Sequence, residues 1–452
     1  MKRNNHFRRA TAISLSLCAI LVFSVLFAQQ DGPVYIKAKK IYTSDGGRII
    51  TNGGILIRDG KIVKVDEKVK LPKNAQVVDF SENTIIPGLI DAFSHMGFHR
   101  EDCNVQTEPP NPHRAPLTGI FRMYFGVQEQ QTPPPRIESR FKASNAVYFK
   151  DASFKRFLSE GVMMSVIAIP TANLSGGMPF MARLGGGSLS EFEMVDPVGI
   201  VFVFAGDGNV MKRYGDLHKM FRDAQDYRKK WEKYKKDLKK YQAQQKKKNG
   251  PPKGKKDKEE STAKDTQEPK EPKKNENHEA ILQVLDRKIP VLIRASRENE
   301  IQAALKIQDE FKVRLVLIGG QEAYKIPQDL VSRKVSVIAG PDVVLDKKGN
   351  RINYIKELLA SSIPVAFCSS SSEGASFIPY QLAYAVQHGL SRAQALDTVT
   401  VHPAKIFSLS NRVGRIASGR DADFVVLDGE PFDLGTNVRW IYIGGQRFFS
   451  GE

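Results

Sequence analysis

The feature that most restricts the fold of this chain is a series of short, continuously apolar segments separated by amphipathic ones. The apolar kind comprises VMMSVIAIP, GIVFVFAG, IPVLIRAS, VRLVLIGG, VSVIAG and IPVAFCSS, and amphipathic stretches such as ENEIQAALKIQDEF follow several of them. Strands that are apolar on both faces and are joined by helices are typical of a covered parallel sheet in an α/β protein. Their number favours a TIM-like (β/α)8 barrel over an open doubly wound sheet, which the pattern alone leaves possible.

Short strands are also predicted at both ends of the chain. The first end contains GGILIRDGKIVKVDEKVKL, in which Asp59 and Gly60 separate two alternating apolar runs, as in a β-hairpin. The last end contains FVVL and WIYIGGQRFF, which have strand patterns too. We expect residues 29–86 and 404–452 to form one small composite β-sandwich domain, and residues 87–403 to form the barrel.

An insertion at residues 217–278 begins with a pattern typical of a long helix. One face carries apolar residues spaced three and four apart, while Lys and Arg occupy the other faces. This stripe consists of Leu217, Met220, Ala224, Tyr227, Trp231, Tyr234, Leu238 and Tyr241. Two interpretations stay open: a docking face for another subunit, or an overlong barrel helix packed on its own domain.

The rest of the insertion, Gln242 to His278, has a very different composition. Its only aliphatic residues are Ala243 and Ala263, amid Lys, Glu, Pro and Gly. Such a segment cannot bury enough apolar surface to offset the entropy lost on ordering. We therefore expect a disordered, solvated linker rather than a specific polyanion site.

The formal net charge of +18 is concentrated outside the barrel. Residues 211–280 hold 23 Lys and Arg against 13 Asp and Glu, and four more Lys and Arg lie within residues 2–9. Nucleic-acid binding requires a basic surface over the folded domain itself. Because the remaining body is nearly neutral, no nucleic-acid partner is predicted.

The chain begins with a pattern typical of a secretory signal. After Arg9 comes the uncharged run Ala10–Ala28, ATAISLSLCAILVFSVLFA, followed by polar residues. We expect residues 1–28 to be a cleaved signal peptide and the protein to be secreted or periplasmic, with an uncleaved membrane anchor as the alternative. Beyond this leader only Cys103 and Cys368 remain, which predicts two separate thiols rather than a disulfide framework.

Several motifs, in a fixed order, resemble the imidazolonepropionase-like branch of the amidohydrolase superfamily. They are IIPGLIDAFSHMG, GVMMSVIAIPTANLSGG, VLDRKIPVLIRASRENEIQAALKIQDEF, LVLIGGQEAYKI, GLSRAQALDTVTVHPAKIFSL and VGRIASGRDADFVVLDGEPFD. The resemblance implies a metal-dependent hydrolase barrel, acting on non-peptide carbon–nitrogen bonds, beside a β-sandwich built from both chain ends. In such enzymes a divalent metal such as Zn²⁺ activates water, and an Asp moves the proton.

The positions that match the family's metal ligands carry other residues here. Where the resemblance implies His, a bridging Lys, His, His and Asp, this chain has Phe93, Val203, Arg294, Gly319 and Ser370. Of the family's ligand set only His95 remains. An open catalytic metal site generally needs about three protein ligands, so we expect no metal cofactor.

The remaining candidate catalytic residues are His95, Arg294 and Ser370. His95 could be a hydrogen-bonded histidine on a barrel strand, or could form a replacement metal site with His99 and His113. Arg294 could pair with a buried Asp or Glu, or could replace the metal's charge and bind an anionic ligand through two hydrogen bonds. Both alternatives for each residue stay open.

These features predict an exported pseudoenzyme that serves as the structural or regulatory partner of a catalytically complete relative, or of a second copy of itself. One alternative is a metal-independent hydrolase in which Arg294 stabilises an oxyanion and His95 or His99 acts as the base. Another is a protein that binds a small molecule at the barrel mouth.

Overall fold

The computed structural model describes residues 32–98, 138–185, 193–205, 209–248, 267–347, 349–372 and 377–451. The predicted signal peptide and the residues His99, Cys103 and His113 lie outside this part of the chain. None of the described helices combines the length and the apolar character needed to cross a membrane.

Strands occupy both ends of the described chain and alternate with helices between them. In chain order the strands are β1 (Val34–Tyr42), β2 (Ile49–Arg58), β3 (Lys61–Asp66), β4 (Gln76–Pro87), β5 (Leu89–Ser94), β6 (Val162–Ile167), β7 (Phe180–Arg183), β8 (Glu193–Val195), β9 (Ile200–Val203), β10 (Val291–Ala295), β11 (Leu315–Gly319), β12 (Ser336–Ala339), β13 (Val344–Lys347), β14 (Asn350–Asn353), β15 (Val365–Phe367), β16 (Phe424–Leu427), β17 (Val438–Ile443) and β18 (Gln446–Ser450).

Most helices follow a strand and cover the sheet that contains it. In chain order they are α1 (Ala152–Ser159), α2 (Val210–Lys248), α3 (Glu276–Leu285), α4 (Glu298–Phe311), α5 (Pro327–Ser332), α6 (Tyr354–Ala360), α7 (Phe377–Gln387), α8 (Arg392–Thr398) and α9 (Val401–Ile406). Single turns of 3₁₀ helix lie at Ala143–Asn145 and Ala323–Lys325.

Both chain ends contribute to one seven-stranded sheet, in the order β18-β17-β16-β4-β1-β2-β3. The two ends meet where β4 pairs with β16, with Ile85 opposite Val426. The predicted hairpin at Asp59 and Gly60 is confirmed, since both residues have positive φ and join the antiparallel strands β2 and β3. The division of these strands into the two layers of a sandwich stays a prediction.

The barrel region contains two larger sheets and a separate two-stranded sheet, β13 with β14. Strands β9, β10, β11, β12 and β15 form one sheet that is parallel throughout, and β5 to β8 form the other. On one side Ser370 N donates to Phe93 O, and on the other Val203 N donates to Leu174 O. The arrangement is barrel-like, although the described strands do not form one closed hydrogen-bonded ring.

One part of the expected parallel barrel is wrong. Strand β7 is antiparallel to both of its neighbours in the sheet, β6 and β8. The connection from β6 to β7 contains no helix. Parallel neighbours generally need a long crossover that returns the chain to the starting edge, and this connection instead turns the chain back on itself.

Two layers of apolar side chains lie on opposite faces of these strands. The inner layer includes Ile90, Met164, Val166, Val201, Val203, Leu292, Val316, Ile318, Ile338 and Ala366. The outer layer packs between the strands and the helices, and includes Phe202, Ile293, Leu317, Val337, Phe367, Phe221, Ile301 and Leu382. Strands buried on both faces explain the continuously apolar runs in the sequence.

The first half of α2 packs on the barrel. Leu217, Phe221, Ala224 and Tyr227 are buried, and the ring of Phe221 lies 5.0 Å from that of Phe311 on α4. This agrees with a barrel helix that packs on its own domain. In the second half, Trp231, Tyr234, Leu238 and Tyr241 are only partly buried.

The disordered linker predicted for Gln242 to His278 is too long at both ends. Helix α2 continues through Gln242 to Lys248, where Gln and Lys favour the helix. At the other end, Glu276 and His278 belong to α3, whose first turn is capped by Asn275 through hydrogen bonds from the backbone N–H groups of Asn277 and His278.

Candidate functional site

Arg294 lies at the carboxyl end of the parallel sheet. It is the fourth residue of β10, paired in register with Val203 of β9 and Ile318 of β11, both of which belong to the inner layer. Leu292, two residues earlier, is also in the inner layer, so the alternation of side chains directs Arg294 into the barrel. A cation therefore occupies a row of otherwise apolar side chains.

The guanidinium of Arg294 has little compensation for its burial. Its Cζ lies 5.3 Å from the centre of the Phe93 ring, a cation–π contact. Within the described ranges it forms no ion pair and no hydrogen bond through its side chain. Burial lowers the pKa of Arg294 from its ordinary value. Of the two alternatives for Arg294, the ion pair with a buried carboxylate is thus not found among the described residues.

His95 lies immediately beyond β5, and within the described part of the chain its ring is held by one hydrogen bond. Its Nδ1 is 2.8 Å from the carbonyl oxygen of Ala168. Because a carbonyl only accepts, Nδ1 carries the hydrogen and Nε2 keeps its lone pair. Burial, and secondly the charge of Arg294, lower the pKa of His95 to about 4. The imidazole is therefore neutral at physiological pH, and Nε2 is a hydrogen-bond acceptor.

The side chains of Phe93, His95 and Arg294 form one group. The Phe93 ring is buried, and its centre lies 5.3 Å from the centre of the His95 ring, in an edge-to-face arrangement. Arg294 lies at the same distance over Phe93. The structure thus brings Arg294 to Phe93 and His95, which precede it by about 200 positions in the sequence.

Ser370 and Cys368 lie beside this group. Ser370 follows β15, has a φ of 49°, and bonds through its backbone N–H to the carbonyl of Phe93. Its Oγ is 3.5 Å from Cys368 Sγ. Burial, more than the nearby carboxyl of Asp91, raises the pKa of Cys368 to about 12. The thiol is therefore protonated and is a poor nucleophile.

Gly319 lies at the end of β11, opposite Ala295 of β10. Its φ is 96°, and a Cβ at this position would lie 2.8 Å from Ser296 Oγ. A side chain here would therefore be both strained and crowded. Gly319 can contribute only backbone groups to the site.

Asp91 is a buried residue of this region that the sequence analysis missed. Its Oδ1 accepts hydrogen bonds from the N–H groups of Phe93 (3.1 Å) and Ser369 (3.0 Å), and its Oδ2 accepts one from the Ser369 hydroxyl. It thereby joins β5 to the segment after β15. Burial raises the pKa of Asp91 to about 7, although these hydrogen bonds oppose the shift. The sequence feature that could have revealed Asp91 is a single carboxyl side chain within an apolar strand.

The residues of this group do not fit a catalytic metal ion. In the described part of the chain, no three His, Cys, Asp or Glu side chains come together as a cation site. One neutral imidazole is too few ligands for Zn²⁺, and the fixed positive charge of Arg294 repels a cation from the same space. The chemistry of the donors fits an anion better.

Two cavities lie elsewhere, beside α2. One, of about 770 Å³, is lined by polar and charged side chains of α2 and of the segments around Ser175 and Asn277. The other, of about 930 Å³, lies between the start of α2 and the first turns of α4. Neither is lined by His95 or Arg294.

Comparison with known proteins agrees with this fold. Residues 300–447 match the amidohydrolase family. The chain carries an amidohydrolase-family domain. The crystal structure of an amidohydrolase from Thermotoga maritima is 26% identical, with a TM-score of 0.66, over 92% of this chain and 100% of that one. These similarities indicate an amidohydrolase-family domain over residues 300–447 and a TIM-barrel-like α/β fold.

More distant similarities concern the fold or short segments. An adenosine deaminase from Xanthomonas campestris, solved with bound zinc, is 14% identical over 92% of each chain, with a TM-score of 0.50. A dihydroorotase from Anaeromyxobacter dehalogenans is 36% identical over 59 residues, which are 12% of this chain and 14% of that protein. An N-acetylglucosamine-6-phosphate deacetylase from Danio rerio is 42% identical over 59 residues, 13% of each chain. Each of these two matches thus spans about a seventh of the length of the curated relative. The imidazolonepropionase-like branch stays a prediction.

The buried carboxyl of Asp91 predicts a particular pH dependence of stability. The folded carboxyl keeps its proton to about pH 7, whereas the unfolded one ionises near its ordinary value of 3.8. Between about pH 4 and 7 the folded state thus holds more protons, and wild type loses stability relative to Asp91→Asn as the pH rises, by up to about 1.4 kcal/mol per pH unit. Denaturant unfolding of both proteins at several pH values measures this difference, in which the titration of His95 cancels.

A surface carboxyl provides the control for this experiment. The pKa of the exposed Asp226 is lowered by Lys229, in the opposite direction. Asp226→Asn should not reproduce the relative loss. A difference between wild type and Asp91→Asn that is flat from pH 4 to 7 would show that Asp91 is ionised in the folded protein throughout.

Because Arg294 has no ion-pair partner in the part of the chain that the structure describes, we expect its side chain to contribute little to stability. Arg294→Met removes a buried charge and keeps a similar apolar volume, at the loss of the cation–π contact with Phe93. We expect the free energy of unfolding to stay constant or to rise by about 1 kcal/mol. A fall of about 3 to 5 kcal/mol in denaturant unfolding, the size expected for a broken buried ion pair, would contradict this.

Proposed function

We propose that this protein is an exported, catalytically degenerate member of the amidohydrolase superfamily, in which an arginine occupies the place of a metal ligand. The carrying observation is Arg294, a cation in the inner row of the barrel with no counter-charge among the described residues. Its positive charge and the single imidazole of His95 are unsuited to activating water through a metal. The ancestral reaction is hydrolysis of non-peptide carbon–nitrogen bonds.

A metal-independent hydrolase is supported less well by the same residues. A general base works best when its pKa lies near the working pH, and the pKa of His95 is about 4. Its Nε2 can accept a hydrogen bond but is a weak base. The thiol of Cys368 has a pKa of about 12, so it does not supply a nucleophile either. Binding without turnover suits these groups better.

The proposed role beside a complete relative depends on the second half of α2. Since Leu217, Phe221 and Tyr227 are buried against the protein's own barrel, they are not available to a partner. The partly buried Trp231 and Tyr234, whose ring centres are 5.8 Å apart, continue the stripe beyond that contact. Aromatic residues of this kind are enriched at the centres of protein interfaces. We propose this half of α2 as the contact with a ligand-complete amidohydrolase.

The metal site is tested by elemental analysis. After exposure to equimolar Zn²⁺, Mn²⁺ or Fe²⁺ and dialysis, the purified protein should hold far less than one metal ion per chain, because a single imidazole beside a guanidinium binds divalent cations weakly. Mass spectrometry of the dissolved metals gives the stoichiometry. Turnover of amide, lactam and imine substrates should be undetectable both with and without a chelator.

A second histidine supplies the matched control for this measurement. His402 is also held through Nδ1, 2.8 Å from the carbonyl of Val365, but lies in the first turn of α9 rather than at the carboxyl end of the strands. About one metal ion per chain in wild type and in His402→Gln, lost in His95→Gln, would disprove the proposed degenerate site. Equal, low metal content in all three proteins supports it.

The partner contact is tested with substitutions on α2. Trp231→Ala combined with Tyr234→Ala should weaken the capture of a ligand-complete amidohydrolase from envelope extracts of the native organism about tenfold or more. Lys233→Ala with Lys236→Ala, on the exposed face, should change capture little. If the aromatic double variant unfolds, or captures as well as wild type, the stripe belongs only to the protein's own fold.

A further inference from the structure

Arg294 and His95 each have a hydrogen-bonding group without a partner among the described residues: N–H donors on Arg294 and an acceptor nitrogen on His95. The guanidinium offers its N–H donors in a planar fork and meets no acceptor among the described residues. The neighbouring His95 uses its one ring hydrogen on Ala168 O and leaves Nε2 as an acceptor. Among the described residues, a donor group and an acceptor without partners thus both lie beside the Phe93 ring, each 5.3 Å from its centre.

We infer that this group binds a small monocarboxylate that also carries an O–H or N–H donor, with the carboxylate on Arg294 and the donor on His95 Nε2. The planar fork of Arg294 matches the two oxygens of a carboxylate. This inference rests on the proposed absence of a catalytic metal, since a bound divalent cation would occupy the same space.

The charge balance favours a carboxylate over a phosphate. The group contains one fixed positive charge, while its nearest neighbours in the row, Val203 and Ile318, are apolar. His95 contributes Nε2 as a hydrogen-bond acceptor, since its Nδ1–H is bonded to the carbonyl of Ala168. A phosphate monoester carries nearly two negative charges at neutral pH, so half of its charge would stay uncompensated in a buried site. A monocarboxylate is neutralised completely.

The apolar surroundings set the size and polarity of the rest of the ligand. Phe93 and Cys368 are fully or almost fully buried, and the thiol of Cys368 is neutral. Burial strengthens the interaction between Arg294 and a carboxylate, since water screens it less. It also disfavours a second charge on the ligand. The donor should therefore be a neutral hydroxyl or amide rather than an ammonium group.

The test uses the full mature chain with acetate, glycolate and inorganic phosphate, each against chloride at equal ionic strength. Acetate has only the carboxylate, while glycolate adds a hydroxyl donor. We expect both to raise the Tm by an amount that grows with the logarithm of ligand concentration above the dissociation constant, and that reaches about 2 °C at tenfold excess. Glycolate should bind about tenfold more tightly than acetate. Phosphate should have a smaller effect than either.

Three variants assign the binding to the proposed atoms. Arg294→Met should abolish the effect of both carboxylates, and His95→Phe, which keeps a ring but removes Nε2, should abolish only the advantage of glycolate. Arg314→Met is the matched control, because Arg314 is also partly buried but precedes β11, at the opposite end of the strand from Gly319. This variant should respond like wild type.

The outcomes separate this inference from the proposed function. Stabilisation that persists in Arg294→Met, or no concentration-dependent stabilisation of wild type by either carboxylate, overturns the inference. A larger effect of phosphate overturns the choice of a carboxylate. The metal content of the same samples is measured in parallel: about one ion per chain overturns the proposed function, whereas metal-free protein without carboxylate binding overturns only the present inference.

Discussion

The arrangement of the whole molecule depends on the direct passage of the chain from β4 to β5 through one residue, Gly88. Its N–H donates to the carbonyl of Asp423, and the next N–H, of Leu89, donates to the carbonyl of Gly161. A Cβ at Gly88 would lie 2.3 Å from Met163 Sδ, so there is little room for a side chain. The small sheet and the barrel therefore share one nearly continuous strand, which leaves little freedom between them.

A buried ion pair reinforces this junction. Arg183 at the end of β7 bonds to Asp423, which precedes β16, and Asp423 also accepts the N–H of Gly444. Asp421, two residues earlier, pairs with Lys61 and Arg412. Carboxylates from the end of the chain thus bind cations from the start and the middle of it. The chain end stabilises the barrel region as well as its own sheet.

Much of this fold could be predicted because it depends on local patterns. Apolar runs longer than four residues marked the buried parallel strands, and Asp59-Gly60 marked the hairpin, since each signal lies within a few neighbouring residues. The antiparallel return of β7 could not be predicted, because direction is set by the connection and not by the strand's own residues. The role of Asp91 was hidden for a related reason: its partner Ser369 lies 278 residues away. For Arg294 the sequence supplied the residue, but only the folded environment shows which groups surround it.

The burial of Cys368 has a consequence for the chemical durability of the protein. Oxidants and disulfides react with the thiolate form of cysteine, and the pKa of this thiol is about 12. Arg294 nearby acts in the opposite direction, yet its effect is smaller than that of burial. At neutral pH the protonated thiol therefore predominates. The interior of the barrel therefore contains a thiol that resists oxidation.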